Sequence, residues 1–110
     1  MRIKYEVDIE VSAVENNLKR LVNQIYKLLP CREEGGDWTR PLTTIMEEFA
    51  GMDRLFLGRH ETFFALLSKL EGLFTLDKEN DFFVYRKTIF ECIGLTNDLM
   101  IYVRTWKFKK

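Results

Sequence analysis

The chain has 110 residues with seventeen Lys and Arg against seventeen Asp and Glu, so it lacks the basic excess of a dedicated nucleic-acid-binding domain. Hydrophobic residues make up 46% of it and only two prolines and six glycines occur, which argues against disorder and against a turn-rich β-sandwich. The length suits one domain, and the two cysteines, Cys31 and Cys92, form neither a CxxC pair nor a zinc spacing.

Residues 2–11, RIKYEVDIEV, alternate strictly, with Ile3, Tyr5, Val7, Ile9 and Val11 against Arg2, Lys4, Glu6, Asp8 and Glu10. Period two with β-branched and aromatic residues predicts a strand. A strand needs a partner, and the candidates are the segment Ile101–Phe108 or the same strand of a second copy. Ser12 and Glu15 have capping-box spacing and open a helix over about 13–29. Its apolar positions are Val14, Leu18, Leu21, Val22, Ile25, Leu28 and Leu29. Pro30 is expected to close it.

The connector CREEGGDWTRP follows, with Gly35-Gly36 free to take positive φ and Asp37 or Thr39 able to cap the next helix. Arg32, Glu33, Glu34, Asp37, Trp38 and Arg40 crowd charge around one indole. They have two readings: a structural lid with Trp38 over the bundle end, or an exposed recognition loop with Trp and Arg as anchors. A second helix over about 40–57 carries Leu42, Ile45, Met46, Phe49, Met52, Leu55 and Phe56. A third, over about 60–74, carries Phe63, Leu66, Leu67, Leu70, Leu73 and Phe74.

After the polar loop Asp77–Asp81, with Asp81 as cap, a fourth helix is predicted over about 81–105. One stripe on it holds Phe82, Tyr85, Ile89, Cys92, Ile93, Thr96, Leu99, Met100, Val103 and Trp106. Phe83, Phe90, Leu95, Ile101 and Tyr102 fall off that stripe. A helix apolar on more than one face is the centre of a bundle or part of a subunit interface, so a homodimer through Phe83, Phe90 and Ile101 is expected. The basic tail Lys107-Phe108-Lys109-Lys110 reads as a solubilising terminus. The fold expected is mostly α: an antiparallel four-helix bundle with a short N-terminal β-strand.

Catalytic patterns are sparse. Glu33-Glu34 and Glu47-Glu48 are adjacent pairs that point apart, and one histidine cannot supply the two Glu-x-x-His motifs of a di-iron bundle. Gly35-Gly36 lacks the Lys-Ser/Thr of a phosphate loop. No cofactor or metal is expected. Arg54 and His60 have a spacing that resembles the Arg-x4–6-His motif of HEPN ribonucleases, which makes a nucleic-acid regulator or nuclease the alternative function. No apolar h-region or membrane-length run occurs, and the expected setting is the reducing cytoplasm.

The phrases LLPCREEGGDW, RPLTTIMEEFAGM and FFVYRKTIFECIGL resemble small uncharacterised helical proteins encoded by bacterial phages and mobile elements, over about Ile25–Leu95. No functional residue is carried over by that likeness. It implies a genomic setting in which small proteins bind a host protein, host-defence complexes included. The expected function is therefore a non-enzymatic protein-binding module.

Overall fold

In the computed structural model, residues 2–76 and 82–105 are described, with side chains from Val11 onward. The loop Asp77–Asp81 with its Asp81 cap, the stripe position Trp106 and the tail 107–110 lie outside the described residues. The apolar stripes close into an all-helical bundle of α1 (Arg2–Glu33), α2 (Thr39–Ala50), α3 (His60–Gly72) and α4 (Phe82–Thr105). Short 3-10 turns occupy Asp53–Arg59 and Leu73–Thr75.

Neighbours form a ring in which α1 packs on α4 and α2, and α3 on α4 and α2. α1 and α4 run antiparallel, as three contacts down the seam show. Arg104 pairs with Glu15 at 2.7 Å, Phe90 meets Tyr26 at 6.3 Å, and Tyr85 lies 4.3 Å beneath the Arg32 guanidinium. At 1.5 Å per residue α1 is about 48 Å long and α4 about 36 Å, whereas α2 and α3 are each under about 20 Å. The long axis of 53 Å follows from α1.

The core is built from the expected stripes. From α4 it takes Tyr85, Ile89, Cys92, Leu99, Met100 and Val103, and from α1 Val14, Leu18, Leu21, Ile25, Leu28 and Leu29. The shorter helices add Leu42, Ile45, Phe49, Phe63, Leu66 and Leu70. Each such side chain contributes about 1.5–3 kcal/mol of transfer free energy. Thr96 is the one polar residue fully inside among the described residues, and its hydroxyl donates to the Cys92 carbonyl at 2.8 Å. The helix thereby absorbs its own buried donor.

Three expectations are corrected. No strand is present among the described residues: the backbone over 2–11 continues α1, and Ser12 lies inside that helix rather than capping it. The candidate partner segment within the chain is itself helical as far as Thr105 and so offers no strand edge there, and a helix satisfies its backbone groups locally. Pro30 does not end α1. The helix runs one more turn to Glu33, with Glu34 N–H donating to the Pro30 carbonyl at 3.0 Å.

The second helix stops at Ala50 instead of continuing to 57. Beyond it, Phe56 takes φ −115° and ψ 27°, outside helical geometry. That break turns the chain so that both Met52 and Phe56 still reach the core. It also brings the backbone at Gly58 against α4, where a Cβ would fall on the Tyr102 hydroxyl. No helix among the described residues is long and apolar enough to cross a membrane.

Candidate functional site

The connector closes one end of the bundle. Gly35 takes φ +79°, its N–H donates to the Arg32 carbonyl at 3.0 Å, and the Gly36 N–H donates to Cys31 at 2.8 Å. These two bonds make a Schellman stop to α1. Asp37 then accepts the Thr39 hydroxyl at 2.6 Å and the Thr39 N–H at 3.2 Å. Hydrogen bonding from that hydroxyl, aided by the backbone, holds the Asp37 carboxyl below its ordinary range.

Trp38 is only 7% exposed. Its ring meets Tyr85 edge-on at 5.0 Å and stacks near Phe74 at 6.4 Å. The Arg32 guanidinium stands over this cluster, 4.3 Å from the Tyr85 centroid, 5.6 Å from Phe82 and 5.7 Å from Trp38. Of the residues that sequence patterning singled out, Arg32 and Trp38 thus converge on the lid. Glu33, Glu34, Asp37 and Arg40 stay on the surface and are not drawn together by it. An anchor must be reachable by its partner, and the indole is given to the core.

Arg54 and His60 are both exposed but stand on different elements, the 3-10 turn and the first position of α3. The His60 ring stacks on Phe64 at 6.1 Å. Arg59, between them, places its guanidinium 5.2 Å over Tyr102. Burial pushes the Cys92 thiol up to about 12, far from the value a nucleophile requires. Among the described residues no group of three His, Cys, Asp or Glu could hold a metal ion.

Surface ion pairs tie adjacent helices. Arg20 on α1 binds Glu48 on α2, which raises the Arg20 pKa and lowers that of Glu48 through their mutual hydrogen bond. Lys69 on α3 reaches Glu91 on α4 at 3.2 Å. Exposed pairs of this kind contribute about 0–1 kcal/mol each and fix orientation more than stability.

An open groove of about 570 Å³ lies between α2 and α3. Met46, Ala50, Leu67 and Phe74 give it an apolar floor, and Phe64 stands on its lip at 62% exposure. Glu47 and Glu71 border it, so its polar rim is acidic. Sequence patterning missed this site. The pair Phe63-Phe64 carried only a partial signal: adjacent residues on a helix point about 100° apart, and here Phe63 is buried while Phe64 faces solvent.

A second apolar surface lies across the bundle, on the outer side of α1 and α4, where Tyr26, Phe83, Phe90 and Ile101 are exposed. Comparison of the chain with protein-family models, with curated proteins and with solved structures finds no match.

Proposed function

We propose that the chain is a non-enzymatic protein-binding module whose docking face is the α2–α3 groove. The observation that carries this reading is Phe64, a large aromatic held 62% in solvent beside an apolar floor that Glu47 and Glu71 border. Burying such a side chain on association is favourable, and aromatic anchors set into a small desolvated patch dominate interface energetics. The acidic rim of Glu47 and Glu71 selects a partner segment with an apolar anchor flanked by Lys or Arg, and steers its approach.

The likeness of residues 25–95 to phage and mobile-element proteins supports a host protein as the class of partner, defence complexes among them. The separation of Arg54 from His60 onto two elements, together with the high thiol pKa of Cys92, favours binding over catalysis. The test uses isotope-labelled protein titrated with a synthetic amphipathic helix bearing leucines on one face and lysines beside them. Shifts should concentrate at Met46, Phe64, Leu67 and Phe74, and Glu47→Lys with Glu71→Lys should weaken them at least tenfold. Shifts elsewhere, or none, would refute the groove. Cleavage of RNA or DNA by the purified protein, lost in His60→Ala, would replace the whole reading with a nuclease.

A further inference from the structure

On the opposite side of the bundle from the groove, α4 presents an apolar face that its own chain covers only in part, the Arg86 guanidinium standing 5.4 Å over the Phe90 ring. Phe83, Phe90, Gly94 and Ile101 are separated by seven, four and seven positions, so at 100° per residue they share one side of the helix. Phe83 is 75% exposed, Phe90 44% and Ile101 58%. Tyr26 of α1 widens the patch through its ring contact with Phe90.

Gly94 is the informative residue. Glycine is a poor helix former, yet it sits near the middle of α4, where a Cβ would meet nothing within 4 Å. No packing in its own chain calls for it. What it leaves on the exposed face is a notch beside Phe90.

We propose that this face binds a second copy of the chain, with the two α4 helices antiparallel about a two-fold axis level with Cys92. The spacing is self-complementary about that level: Phe83 and Ile101 lie nine positions to either side, and Phe90 and Gly94 two. Each Phe90 therefore enters the Gly94 notch of the second copy, and each Phe83 meets the other Ile101.

The flanking charges agree. Lys87 and Asp98 are exposed on the same edge of the stripe, and neither has an ion-pair partner among the described residues. Antiparallel pairing sets Lys87 against Asp98 of the second copy, while Arg86 and Asn97 meet along the other edge. Parallel pairing would bring Lys87 against Arg86 instead, like on like.

Size permits a stable contact. The span 83–101 is about 27 Å long, and α1 beside α4 makes the face about 20 Å wide. That is roughly 540 Å² per copy, enough to clear the about 1,000 Å² total expected of a specific interface. Both α2–α3 grooves would remain outward, so this inference does not rest on the groove reading.

Sedimentation of the 110-residue chain across about 1–100 µM should show a reversible dimer. Gly94→Leu should weaken it at least tenfold while helicity and melting temperature hold, because the new side chain meets only the second copy. Lys87→Asp and Asp98→Lys should each weaken association, and combining them should restore it. A monomer throughout, or a dimer indifferent to Gly94→Leu, would overturn the face. Charge reversals without effect, or without rescue in the double variant, would overturn the antiparallel register.

Discussion

Truncating Trp38 separates a lid from a recognition residue. The indole keeps 7% of its surface in water, contacts Tyr85 and Phe74 ring to ring, and lies under the Arg32 guanidinium. Replacing a buried Trp by Ala costs about 3–5 kcal/mol, which already includes the lost aromatic contacts. Trp38 sits at the bundle end, where water can enter the space it leaves, so about 3 kcal/mol is expected. For a chain of this length that lowers the melting temperature by about 12–24 °C. Trp38→Phe keeps a ring against Tyr85 and should lose only about 1–2 kcal/mol. Guanidinium unfolding followed by far-UV circular dichroism measures all three proteins. Arg40→Ala, at an exposed position of the same connector, is the control and should stay within about 0.5 kcal/mol. A Trp38→Ala protein as stable as the parent would refute the lid and return the indole to the surface.

Other substitutions test the interior. The Tyr85 hydroxyl is buried with no hydrogen-bond partner among the described residues, and burial raises its pKa. Tyr85→Phe should therefore be neutral or stabilising by up to about 1 kcal/mol in the same unfolding assay, and a clear loss would show that the hydroxyl is bonded. The Cys92 thiol, held protonated up to about 12 in the folded chain, ionises near its ordinary value of 9.0 once unfolded. Its contribution is complete below that ordinary value. Above it the unfolded state releases the proton first, so stability falls between about pH 9 and 12, by about 1.4 kcal/mol per unit. Urea midpoints taken from pH 8 upward should show the decline, less steep in Cys92→Ala, and an equal slope in both proteins would rule out this source. Gly58→Ala places a methyl on the Tyr102 hydroxyl and should cost about 1–2 kcal/mol, part of it recovered when Tyr102→Phe is added. Strict additivity of the two changes would count against the contact.

The core was legible because helical periodicity and burial are the same fact seen twice. Of the stripe, Tyr85, Ile89, Cys92, Thr96, Leu99, Met100 and Val103 are buried and Phe82 and Ile93 half-buried, while of the off-stripe residues Phe83, Phe90 and Ile101 stay in solvent and Leu95 and Tyr102 are half-buried. The connector was only half legible. Composition marked Trp38 and Arg32 as unusual, but exposure is decided by neighbours far along the chain, Phe74, Phe82 and Tyr85, which no local pattern reveals. The groove was illegible for a related reason. A pair such as Phe63-Phe64 does not say which ring faces outward, and a concavity beside the exposed one exists only once α2 and α3 lie together.

The N-terminal half of α1 shows how a strong local signal loses to context. RIKYEVDIEV has the period of a strand, but strand geometry leaves every backbone N–H and C=O dependent on a neighbour. The only segment of this chain that could have served, Ile101–Phe108, belongs to α4 as far as Thr105, whose apolar stripe is already committed to the core through Leu99, Met100 and Val103. Helix needs no such neighbour. Once α1 is nucleated by the burial of Val14, Leu18 and Leu21, each further residue toward the N-terminus gains one hydrogen bond for one residue fixed, without the cost of a new nucleus. The same logic carries α1 past Pro30. Proline in a helix interior forfeits a bond and costs about 3 kcal/mol, but Leu28 and Leu29 before it are buried, and Arg32 after it stacks on three aromatic rings. Tertiary contacts on both sides of the proline hold the extra turn, and the Schellman stop at Gly35 ends it where those contacts end.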